Sequence, residues 1–158
     1  MDKLSQILWR ERELMESLLF KLEVEQLVVS SGRTRWLARS AEEVEMVLGL
    51  LRETEVLRAV VSDEAAESVG LPPDASLRDL AAAAQEPWSS ILDDHRTVFQ
   101  ALGAEIAALA QTNRELLTAG LRSARETLLS FESAVTGYAA DGAAVAAGAS
   151  SSLVDRSL

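Results

Sequence analysis

One periodic segment constrains this chain more than any other. From about Trp88 to Ala134, the residues Ile91, Val98, Leu102, Ile106, Leu109, Leu116, Leu117, Leu121, Ala124, Leu128 and Phe131 recur at helical steps, with no proline among them. That spacing places an apolar stripe on one side of a single helix. At 1.5 Å per residue the helix is about 70 Å long. A helix of that length needs partners along its stripe, because most helical stability in water comes from packing an apolar face. The fold is therefore set by what else in the chain can supply such partners.

Two earlier segments can. Leu4, Ile7, Leu8, Leu14, Met15, Leu18, Leu22 and Val29 form a stripe over about Asp2 to Val29. A break follows at "SSGRT", Ser30 to Thr34, where Gly32 is a poor helix former and the serines compete for backbone hydrogen bonds. The pattern restarts at Trp36 and Leu37 and continues through Val44, Val47, Leu48, Leu51, Leu57 and Val61. Ser40 followed by Glu43 has the spacing of a capping box, which would start this helix later. "GLPPDAS", Gly70 to Ser76, ends it, since glycine closes a helix and the prolines prevent it from resuming. Ser76 can cap a short helix over Leu77 to Ala84, and Pro87 suits the first turn of the long one. The expectation is an all-α fold: an elongated antiparallel bundle of coiled-coil type, with one short extra helix and a flexible C-terminal tail. The helical domain covers residues 1–136. Residues 137–158, rich in Ala, Gly and Ser, form the tail.

Composition removes several classes of function. The chain carries 25 Asp and Glu against 15 Lys and Arg, a formal charge of -10 over 158 residues, and such a field repels a phosphate backbone. Nucleic acid is therefore not an expected partner. The eight acidic residues between Glu42 and Glu67, with only Arg52 and Arg58 to balance them, read as a solvated face. Cysteine is absent, which excludes disulfides and zinc–thiolate sites. The charged N-terminus does not read as a signal peptide, and no apolar run approaches the ~20 residues that span a bilayer. Membrane insertion is not expected, and a cytoplasmic protein is.

Catalytic constellations are missing too. The single histidine, His95, follows Asp93 and Asp94 directly, so these side chains diverge on a helix and do not converge on one metal. No phosphate-loop spacing or nucleophile elbow occurs, and Glu11, Glu25, Glu55 and Glu105 read as stripe-edge charges paired with neighbouring arginines. The expectation is a protein with no enzymatic activity and no cofactor. What remains is binding surface. Asn113 lies on the apolar side between Leu109 and Leu116, and Gly120 faces the same way. A buried Asn sets the register of a bundle, whereas a free stripe at this point would offer a groove to a partner helix.

The run "NRELLTAGLRSARETLLSF" followed by "TGYAADG" resembles the C-terminal half of the FlgN-like flagellar export chaperones. The resemblance rests on Asn113, Leu116, Leu117, Gly120, Leu121, Leu128 and Phe131, then Tyr138, Asp141 and Gly142. Upstream, "LRETEVLRAVVSDEAAESVGLPPDASLRDL" is similar to the same family, so that the likeness covers about residues 4–142. It implies a cytoplasmic chaperone for hook-associated proteins of the hook–filament junction. Such a protein holds a helix-forming terminal segment of its cargo and delivers it to the flagellar type III export gate. The residues implied for the cargo are Asn113, Leu116, Leu117, Gly120, Leu121, Ala124, Leu128 and Phe131, with Tyr138 as the anchor for the gate. Self-association into a homo-oligomer is compatible with this reading.

Two other classes fit a small site-less helical chain. A secreted helical hairpin of the WXG type would need Trp-x-Gly, whereas Trp36 opens "WLA", and its secretion motif fails because position 142 is Gly. A structural coiled-coil protein that only oligomerises is the other.

Overall fold

The computed structural model describes residues 1–136, with side chains through Glu132. Helix α1 spans Asp2–Ser30, a 3-10 turn covers Thr34–Trp36, and helices α2, α3 and α4 span Leu37–Ser68, Leu77–Ala83 and Trp88–Thr136. No strand occurs among the described residues. The chain is an all-α helical bundle.

The connections follow from local chemistry. After α1, Gly32 adopts φ +67°, a left-handed conformation that residues with a Cβ disfavour. At the end of α2, Gly70 at φ +74° closes a Schellman motif. Leu71 N–H donates to Ala66 O at 2.9 Å and Gly70 N–H to Glu67 O at 3.1 Å. The Ser76 hydroxyl accepts from Asp79 N–H at 3.2 Å, capping α3 as its sequence suggested. The capping box at Ser40 does not form. Helix α2 already begins at Leu37, Ser40 donates to Leu37 O, and Glu43 instead binds Lys21 at 2.6 Å and Arg39 at 3.2 Å. Helix α4 begins one residue after Pro87, whose carbonyl accepts from Ile91 N–H.

The chain divides into two compact units, Met1–Leu116 and Leu117–Leu158. In the first, α1 and α2 are antiparallel: Lys3 meets Glu64 and Lys21 meets Glu43. The start of α4 runs alongside α1 in the same direction, since Arg12 reaches Asp94 and Glu25 reaches Asn113. Two apolar clusters form the core. One joins Leu4, Leu8, Ala65, Ala66, Leu80, Ala81 and Leu92. The other joins Leu18, Leu22, Val44 and Val47, with Ile106, Leu109 and Ala110 packed on it. Along each main helix a polar residue is buried between the clusters: Glu11 on α1, Thr54 on α2 and His95 on α4. In the second unit the only described element is the continuation of α4.

A candidate docking face on the last helix

The polar layer of the first unit is the natural place to look for chemistry. Glu11 is buried, with Oε2 3.4 Å from Arg58 Nε, a charge pairing without hydrogen-bond geometry. Burial raises its pKa; Arg58 works against the shift and Glu55 adds to it. His95 is buried against Trp9, whose ring meets it edge-on at 4.8 Å between centroids, and against Phe99. Neither ring nitrogen of His95 has a hydrogen-bond partner among the described residues. Burial lowers its pKa, which Asp94 opposes and Arg12 reinforces. The layer thus packs the His95 ring against Trp9 and Phe99 and sets Glu11 beside Arg58. Among the described residues, no three His, Cys, Asp or Glu side chains are placed to hold a metal.

Asn113 closes the second apolar cluster. Its Nδ2 donates to Leu22 O at 2.9 Å and to Glu25 Oε2 at 3.0 Å, and the side chain is 2% exposed. These bonds tie α4 to α1 in one register, because a shift of either helix would take the amide donor away from the buried Glu25 carboxylate. Glu25 is thus held by an amide, where the sequence pattern suggested an arginine.

The surroundings change along α4. Leu116 and Leu117 are half-buried, whereas Gly120, Leu121, Ala124, Leu128 and Phe131 are exposed. Leu121 retains 73% of its accessible surface, Leu128 70% and Phe131 66%. In the second unit, Leu117, Leu121, Ala124, Leu128 and Phe131 follow one another by four, three, four and three residues, the spacing of a coiled-coil seam. A shallow depression of about 530 Å³ lies on this seam, lined by Thr118, Leu121, Arg122, Ala124, Arg125 and Leu128. Solvent-facing leucines at seam spacing leave an apolar helix face uncovered among the described residues. Tyr138 lies outside the described residues.

One further feature escaped the pattern reading. Helix α2 carries a second apolar stripe on its outer side, with Met46, Leu50, Leu57 and Val60 all exposed. The periodicity groups Leu57 with the inner stripe of this helix, whereas the structure leaves it 56% exposed on the outer one.

The described residues form a helical bundle whose last helix carries an exposed apolar seam. In comparison with family models, the model described as FlgN protein matches residues 1–146. The chain belongs to the FlgN family, a family of flagellar export chaperones. Neither the comparison with curated proteins nor that with solved structures gives a match. No described helix is long and apolar enough to cross a membrane.

Proposed function

We propose that this chain is a cytoplasmic chaperone for hook-associated flagellar proteins. It holds their helix-forming terminal segment and delivers it to the flagellar type III export gate. The observation that carries this reading is the exposed seam from Leu117 to Phe131 in a member of an export-chaperone family. A cargo segment with an apolar stripe of its own would lie along Leu117, Leu121, Ala124, Leu128 and Phe131, with Leu116 at the edge and Gly120 permitting close approach. Fully burying a Leu or Phe side chain contributes about 1.5–3 kcal/mol before ordering costs. Asn113 acts on this scheme from within the bundle, by fixing the register of α4 rather than by touching cargo. Tyr138, in the Ala/Gly/Ser-rich tail of residues 137–158, contacts the gate, since tyrosine offers large contact area at low side-chain entropy cost. Binding alone performs the work, and no cofactor takes part.

The test is calorimetric titration of the full chain with the terminal segments of hook-associated proteins encoded by the same genome. At least one segment should bind, and Leu128→Ala should weaken it. Binding that ignores Leu121, Leu128 and Phe131 together would move the cargo site elsewhere.

A further inference from the structure

The outer stripe of α2 and the seam of the second unit match in three independent respects. The first is spacing. Met46, Leu50, Glu53, Leu57 and Val60 step by four, three, four and three residues, as do Leu117, Leu121, Ala124, Leu128 and Phe131. Both rows span about 21 Å of helix at 1.5 Å per residue. The second is charge. The outer face of α2 carries Glu42, Glu45 and Glu53 exposed, with Arg52 beside them, whereas the depression on the seam is lined by Arg122 and Arg125 and by no acidic residue, Glu132 following Phe131 beyond it. No ion pair engages Glu42, Glu45, Glu53, Arg122 or Arg125 among the described residues. The third is the middle of each row. Glu53 is the one charged residue in its stripe, and Ala124 is the smallest in the seam. Laid one on the other in either direction, the rows bring Glu53 opposite Ala124, where the missing side-chain volume admits a carboxylate and Arg125 stands next to it.

We propose that these two faces bind each other between copies: the Leu117–Phe131 seam of one molecule docks on the outer face of α2 of a second. Each copy thereby shields the apolar seam of another until a stronger ligand displaces it. Contact along a single helix pair of this length lies at the small end of protein interfaces, so association is weak and dependent on concentration. The Glu53–Arg125 encounter fixes which layers meet, in the way a single polar residue sets the register of a coiled coil. The proposal needs only the two exposed faces; that cargo competes for the seam rests in addition on the function proposed above.

The experiment uses the full chain without cargo. Leu57→Glu removes the α2 face and Leu128→Glu removes the seam; both positions are exposed, so the fold should survive, as a circular-dichroism melt of each variant checks. In sedimentation velocity, the wild type should self-associate with rising concentration, and each variant alone should lose that association. An equal mixture of the two should recover a one-to-one pair, because the intact α2 face of one variant meets the intact seam of the other. Glu53→Arg should abolish association, and the triple variant Glu53→Arg, Arg122→Glu, Arg125→Glu should regain it. A wild type that stays monomeric overturns the proposal. So does association lost in only one of the two Glu variants, which would mean a face pairing with itself. A mixture that stays monomeric overturns it equally. None of these results bears on cargo binding, so the chaperone reading stands or falls by its own titration.

Discussion

Replacing Asn113 with Ala tests the physical account of the bundle most directly. The substitution removes two hydrogen bonds, one to the Leu22 carbonyl and one to the Glu25 carboxylate. A bond to a neutral carbonyl contributes about 1 kcal/mol and one to a charged group about 1.5–3 kcal/mol. The larger effect is what is left behind. Glu25 is 7% exposed, and stripping its partner strands a carboxylate in the core. Leaving a buried acceptor without its donor costs about 1–3 kcal/mol, and more where the group is charged. We therefore expect Asn113→Ala to destabilise the fold by about 3 kcal/mol, on the order of 10 °C in melting temperature for a domain of this size. Replacing both Asn113 and Glu25 with Leu should restore most of that loss, because no polar group then remains to be satisfied. The assay is urea unfolding followed by circular dichroism, for Asn113→Ala and for Asn113→Leu, Glu25→Leu and their pair, the last three analysed with the wild type as a double-mutant cycle. Refutation would be a cost below about 0.5 kcal/mol for Asn113→Ala, or a double variant as unstable as the sum of the singles. Either result would mean that the amide does not hold Glu25 in solution.

Leu121→Ala, Leu128→Ala and Phe131→Ala should each weaken cargo binding by about 1–3 kcal/mol in calorimetry. They should lower the melting temperature by less than a core cavity such as Leu8→Ala would. Tyr138→Ala should leave fold and cargo affinity intact and reduce only export in a secretion assay. Buried His95 and Glu11 oppose each other in pH dependence. His95 has its pKa lowered in the fold, so as pH falls below about 6.5 the unfolded chain takes up a proton that the folded chain refuses, and stability drops. Glu11 has its pKa raised, so its contribution is largest at low pH and is lost as pH rises from about 4.5 through the raised value. Urea midpoints should accordingly fall on acidification below pH 6.5, and His95→Leu should remove that fall. Gly70→Ala places a Cβ at φ +74° and should cost about 1 kcal/mol, as should Ser76→Ala through loss of the α3 cap, both read from urea midpoints.

Much of this protein was legible from pattern alone. Apolar recurrence at three- and four-residue steps marked α1, α2 and α4, and Gly32, "GLPP" and Ser76 marked the ends, because these signals act within one or two helical turns. The seam at Leu117, Leu121, Ala124, Leu128 and Phe131 was visible as a stripe, with its exposure left as one of two readings. Periodicity reports that a face is apolar and says nothing of whether another helix covers it. The same limit hid the stripe at Met46, Leu50, Leu57 and Val60, where a helix with an inner row already assigned to the core carries a second row facing water. The pattern restart at Trp36 and Leu37 marked the start of α2, and the later start that Ser40 offered fails because Glu43 has a better use: Lys21, 22 positions away in sequence, meets it at 2.6 Å. Asn113 shows the division most clearly. The sequence placed it on the apolar side of α4 and left two roles open, lock or docking residue. Only tertiary packing brings the Leu22 carbonyl and Glu25 within hydrogen-bond reach from roughly 90 residues away. Local rules determine which residues are helical, whereas burial is a property of pairs of helices, and it decides whether an apolar or amide side chain holds the fold together or waits for a partner.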